Sequence, residues 1–185
     1  MERVVRIAAL VLLAALLLPG ISLVLHRKPG WLRAVKWMIL GVYLLANVQH
    51  TLLFRAVQPD RPVEWGLLWS YRQALTFPDG LMSLVKGTVQ VERRVLLYSI
   101  LLNILLYVPM GYLLPYVLKR LKGWQTLLIA LGASALTEIA QLVFRIGWFE
   151  LDDVLNNMLG AVLGLMLYAA FVRPMVRRAE KTEMV

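Results

Sequence analysis

The chain has 185 residues, 60% of them apolar and 17% charged, with a mean hydropathy of +0.69. That is too little polar surface for a soluble domain of this length. The absence of cysteine excludes a disulfide framework, thiolate catalysis and cysteine-ligated metal. The net charge of +9 does not signify nucleic acid, because the basic residues gather at the ends of apolar blocks. They fall at His26, Arg27, Lys28, Arg33 and Lys36, then at Lys119, Arg120 and Lys122, then at Arg173, Arg177, Arg178 and Lys181. This distribution reports membrane topology and contact with anionic headgroups, and no nucleic-acid-binding motif accompanies it.

Five segments are long enough to cross about 30 Å of hydrocarbon as helices: residues 5–25, 35–54, 95–118, 124–144 and 154–172. The expected fold is all-α, a single polytopic membrane domain of about five transmembrane helices. The first segment follows Arg3 and Arg6 and has some character of a leader. Pro19-Gly20-Ile21-Ser22 gives no small-x-small cleavage site, so a retained helix is expected. The second segment is the most polar, with Asn47, Gln49 and His50 in its last third. The linkers at 26–36 and 119–122 are basic, and the one at 145–153 sets Arg145 against Glu150, Asp152 and Asp153. Short basic linkers stay cytoplasmic, which predicts an N-terminus outside and a basic C-terminal tail (173–185) inside.

The linker at 55–94 is the largest piece between spans. Pro59, Pro62, Pro78-Asp79-Gly80 and Gly87 break it, and Trp65, Trp69, Tyr71 and Phe77 punctuate it. Aromatic residues at this density favour the headgroup level, so one or two interfacial helices are expected there, on the extracytoplasmic side.

Polar groups inside hydrocarbon are costly and are functional candidates by default. The third span carries Asn103, then Tyr107, then Pro109 and Gly111. In the fourth, Glu138, Gln141 and Arg145 share a helical face. In the fifth, Asp153, Asn157, Gly160 and Gly164 do the same. At 1.5 Å per residue, Asn103, Glu138 and Asn157 lie about 12, 9 and 6 Å below the same membrane surface. Arg145, Asp152 and Asp153 stand at its mouth.

Two readings of that layer compete. As a ligand pocket, it offers Arg145 for a phosphate or carboxylate, asparagine amides for ester or phosphoryl oxygens, and Glu138 or Asp153 as an acid or base. Glu138, Asp152 and Asp153 are too loosely spaced to predict a metal site, and no cofactor is expected. As architecture, Glu138 and Arg145 pair between helices and the asparagines act as interhelical glue. Gly160 and Gly164 then form a small-xxx-small packing motif within or between subunits, which leaves a homodimer open. Pro109 and Gly111 have a structural role in either case.

The three motifs, Asn103-x3-Tyr107-x-Pro109-x-Gly111, Glu138-x2-Gln141-x3-Arg145 and Asp152-Asp153-x3-Asn157-x2-Gly160, together resemble the VanZ-like family of bacterial membrane proteins. The similarity covers about 95–168, with Tyr43 and Thr51 as a looser extension. The resemblance singles out Asn103, Glu138, Gln141, Arg145, Asp153 and Asn157. It also implies a bacterial cytoplasmic (inner) membrane location and a link to teicoplanin, a glycopeptide that binds cell-wall precursors. The expected function is binding of an amphipathic, anionic envelope lipid, such as a polyprenyl-phosphate or cell-wall precursor, or of a glycopeptide-type molecule. The rival expectations are an enzyme acting on a lipid phosphate or ester through Glu138 or Asp153, and a structural membrane subunit.

Overall fold

The computed structural model describes residues 29–53, 57, 63–76, 81–84 and 89–175. The span expected at 5–25 lies outside them. The four others correspond to helices long and apolar enough to cross a membrane, over Gly30–Leu53, Arg94–Val117, Gly123–Phe144 and Leu151–Met175.

In chain order, α1 (Pro29–Val48) ends in a wider π-helical turn, Gln49–Leu53. A short strand β1 (Val63–Glu64) precedes the eight-residue helix α2 (Trp69–Thr76). Strands β2 (Leu81–Leu84) and β3 (Val89–Glu92) form an antiparallel hairpin in which Leu81 faces Glu92 and Leu84 faces Val89. Then come α3 (Arg93–Val117), α4 (Gly123–Phe144), β4 (Phe149–Glu150) and α5 (Leu151–Leu167), the last running on through a π-helical turn, Tyr168–Val172. Among the described residues the 55–94 linker therefore holds the two-residue strand β1, one short helix and a hairpin. The alternation of Val89, Gln90, Val91 and Glu92 after Gly87 is the local signal for the second strand.

Helix α3 is the centre of the bundle. Every residue from Leu106 to Tyr116 is buried, the condition of a helix covered on all sides. Its largest interface is with α5, and glycine makes that interface possible. A Cβ on Gly160 would lie 2.0 Å from the Ile104 carbonyl oxygen, and one on Gly164 2.0 Å from that of Val108. A Cβ on Gly111 would lie 1.9 Å from the Ala161 oxygen. Ile104 and Val108 meet Gly160 and Gly164 in the same order, so α3 and α5 run parallel with their backbones in contact. The small-xxx-small motif thus serves within the subunit. Helix α1 runs antiparallel to α3: the Tyr43 hydroxyl donates to the Leu106 carbonyl at 3.0 Å, and the Lys36 ammonium sits 4.1 Å over the Tyr116 ring.

The burial pattern is the reverse of a soluble bundle. The buried stripe of α4 is Thr126, Ala130, Ser134, Glu138 and Gln141, and that of α5 is Asp152, Asn156, Asn157, Gly160, Ala161 and Gly164. Large apolar side chains point outward instead. These include Leu128, Leu136, Ile139 and Val143 on α4, Leu155, Leu159 and Met166 on α5, and Trp37, Met38 and Leu45 on α1. Polar groups turned in and leucines turned out suit a hydrocarbon solvent, since exposed apolar surface on this scale is unfavourable in water.

Candidate functional site

The polar side chains concentrate at one end of the bundle, where α1, α4 and the loops before α3 and α5 come together. On α1 they form a row at i, i+4 and i+8. The Asn47 amide donates to the Tyr43 hydroxyl at 3.3 Å, and the Thr51 hydroxyl donates to the Asn47 carbonyl at 2.8 Å. The π-helical end of α1 leaves carbonyls without helical partners. The Gln141 amide takes up one of them, donating to Thr51 O at 3.2 Å. Gln141 therefore ties α4 to α1 and is 1% exposed.

Glu138, one turn deeper, is also buried. Its Oε2 accepts from the backbone N–H of Glu150 at 3.0 Å, which holds the β4 segment down onto α4. Strand β4 in turn pairs in parallel with β1, Val63 beside Phe149 and Glu64 beside Glu150, while the Trp65 and Phe149 rings lie 5.0 Å apart. The linker before α2 is thereby fastened to the loop after α4.

Asp152 completes the closure. Its carboxylate is fully buried and accepts three hydrogen bonds: from Leu68 N at 2.6 Å, Ser70 N at 2.9 Å and Ser70 Oγ at 2.6 Å. It caps α2 from a distant part of the chain, supplying the acceptor that an N-cap side chain would otherwise give. Leu68 has a positive φ of 60°, a backbone conformation costly for a leucine, and the Asp152 bond to its N–H helps to hold it. The Tyr71 hydroxyl donates to Asn156 Oδ1, a second tie from α2 to α5. Burial, then the nearby Asp152 and Asp153, raise the pKa of this phenol, so it keeps the proton it donates. Ala74 and Leu96, packed by Trp69 and Trp148, form the apolar underside of the cap.

Below the cap, the Asn157 amide donates to Ser134 Oγ at 2.9 Å. Three buried asparagine atoms have no hydrogen-bond partner, Asn103 Nδ2, Asn156 Nδ2 and Asn157 Oδ1, while the Tyr107 hydroxyl has the Thr137 and Ser134 hydroxyls beside it. Asn103 and Tyr107 flank Ile104, which packs on Gly160. Asn156 and Asn157 sit one turn ahead of that glycine on α5, so all three asparagines lie within a turn of the point where α3 and α5 touch. A buried polar group without a partner costs about 1–3 kcal/mol, and three together call for an explanation.

The residues expected from sequence thus divide. Glu138, Gln141, Asp152 and Asn157 are buried between helices, and Asn103 is half-buried with its amide nitrogen enclosed. Asp153 is half-buried beside Asp152. Arg145 stands apart. Helix α4 ends at Phe144, and Arg145 is an exposed left-handed residue with φ of 55°. The Ile146 N–H reaches back to Gln141 O at 3.0 Å and the Arg145 N–H to Leu142 O at 3.4 Å, a Schellman closure of the helix. The sequence reading placed Arg145 on the face of Glu138 by continuing the helix one residue too far. Both Asp152 oxygens are engaged, and among the described residues no group of three His, Asp or Glu side chains has the arrangement to hold a metal ion.

Several participants escaped the sequence reading. Ser134 and Thr137 look like ordinary small residues in an apolar span, although Ser134 lies one turn before Glu138 on the buried stripe. Ser70 and Tyr71 meet α5 only through a fold that joins residues more than 80 positions apart.

No solved structure matches the chain. Protein VanZ of Enterococcus faecium is 35% identical to it over 66 residues, which are 36% of this chain and 41% of that protein. The match therefore spans less than half the length of that relative. The VanZ/LLP1 family model matches residues 40–173, from the buried face of α1 to the end of α5 and including every element of the capped polar layer. The chain belongs to the VanZ/LLP1 family.

Proposed function

We propose that this protein binds an amphipathic cell-envelope molecule at its capped polar layer and thereby lowers susceptibility to a glycopeptide of the teicoplanin type. The observation that carries this reading is the set of unpartnered polar atoms on Asn103, Asn156 and Asn157, buried in a bundle whose outer faces are apolar. A head group entering at that level finds hydrogen-bonding partners, while its hydrocarbon chain lies along leucine-rich helix faces. Arg145, exposed at the rim, is the cation for any phosphate or carboxylate the molecule carries. On this reading the capped end faces outward and the basic end, with Lys36, Lys119, Arg120 and Lys122, faces the cytoplasm.

Susceptibility to teicoplanin in cells producing matched amounts of wild type, Arg145→Gly and Asn157→Leu tests the role. Protection by the wild type that is lost with Asn157→Leu supports it. Equal protection by all three well-folded proteins contradicts it.

A further inference from the structure

The unpartnered atoms also define the chemistry of the group that enters, an inference that rests on the binding role proposed above. Asn156 Oδ1 is occupied by the Tyr71 hydroxyl, so its free Nδ2 offers a donor. Asn103 Nδ2 is a second donor. Asn157 is the opposite case: its Nδ2 is spent on Ser134, and its Oδ1 offers an acceptor. The layer thus asks its occupant both to accept and to donate.

A phosphate or carboxylate fails that requirement twice. It accepts but does not donate, which leaves Asn157 Oδ1 unmet. It also carries its charge into a buried layer, while Arg145, the cation that follows α4, is outside and exposed. An ionised group taken out of water without a partner is strongly disfavoured.

We infer that the Asn103–Asn156–Asn157 layer takes a neutral head group bearing hydroxyl or amide functions, of the kind a sugar or an acylamino sugar presents, and that an anionic group on the same molecule stays outside the layer. Hydroxyls and secondary amides both donate and accept, matching the mixed polarity of the three asparagines. Asn103, half-buried, is the natural point of first contact.

The test uses the full chain in phosphatidylcholine nanodiscs containing equal small amounts of a monoglucosyl diacylglycerol and a phosphatidic acid with the same acyl chains. Native mass spectrometry of the released protein counts the lipids it retains. The expected result is enrichment of the glucosyl lipid at least about fivefold over its share of the bilayer. Asn103→Leu and Asn103→Ala, each of which removes the donor, return it to that share. Thermal melts confirm that both variants are folded, and the smaller Ala variant serves if the Leu variant is not. Retention of phosphatidic acid that depends on Asn103 would overturn the neutral-head inference while leaving the binding role standing. No Asn103-dependent retention of either lipid would remove both.

Discussion

Asp152 holds Ser70 by two hydrogen bonds to a single carboxylate oxygen, 2.9 Å from the Ser70 N–H and 2.6 Å from its hydroxyl, across 82 residues of sequence. With its other oxygen on Leu68 N, this one side chain fixes where α2 begins and presses it against α5. Acidic residues at the start of a membrane span read most simply as a mouth that meets solvent. Here the first of the pair is an internal cap for a different helix.

Asp152→Ala removes three charge-assisted bonds at once, worth about 1.5 kcal/mol each or more. The effect should be local, since α2 is otherwise held only by the Tyr71–Asn156 bond and the small Ala74–Leu96 cluster among the contacts described above, and a segment held by few contacts opens by itself. Hydrogen exchange over residues 69–76 should accelerate by at least about a hundredfold while α3 and α5 keep their protection. Unchanged exchange in α2 would show that the cap does not depend on Asp152.

The backbone contact between α3 and α5 predicts a sharp division among glycines. Gly160→Ala and Gly164→Ala each force a methyl to about 2 Å from a carbonyl oxygen, so the helices must separate. The cost is about 3 kcal/mol or more, and both variants should aggregate or lose a large part of their thermal stability in detergent. Gly41 and Gly132 face open space. Alanine there should be neutral or stabilising by up to about 1 kcal/mol, through better helix propensity.

Much of this was legible in the sequence. Four described spans fall where apolar length puts them, and Gly160 and Gly164 are a recognisable contact motif. The partner of that motif was not legible, because spacing says which face is small but not which helix it meets. Tyr43, Asn47 and Thr51 lie on one face at four-residue spacing, yet two of them are unremarkable in a hydrocarbon-spanning helix. The hydrogen bond from Gln141 to Thr51 exists only because α1 finishes in a π-helical turn with a carbonyl left over. Arg145 shows the limit of face arithmetic. It is seven residues from Glu138, two helical turns, but the helix stops one residue short of it.

Arg145 also offers a clean separation of charge from fold. Its left-handed backbone costs a non-glycine residue about 1 kcal/mol, and glycine is the usual occupant of this helix-ending position. Arg145→Gly should therefore melt at or above the wild-type temperature. If the rim arginine meets an anionic group, the same variant should retain less of any anionic amphiphile, a loss that Arg145→Lys should partly restore. A lowered melting temperature for the glycine variant would contradict the helix-ending role.

Glu138 separates in the same way by shape and charge. Glu138→Gln keeps an oxygen for the Glu150 N–H and should fold normally. Glu138→Ala leaves that N–H without its acceptor and should cost about 1–3 kcal/mol. Limited proteolysis between 145 and 150 should then distinguish the two, with faster cleavage in the alanine variant alone. Equal cleavage of both would show that the carboxyl group does not anchor the loop.

The capped polar layer as a binding site is tested most directly by native mass spectrometry of the protein extracted gently from its own membranes, wild type beside Asn157→Leu. The account predicts a discrete amphiphile mass retained by the wild type and lost from the variant, with both proteins folded. The same masses on both, or none on either, would contradict it and leave the buried asparagines as interhelical packing.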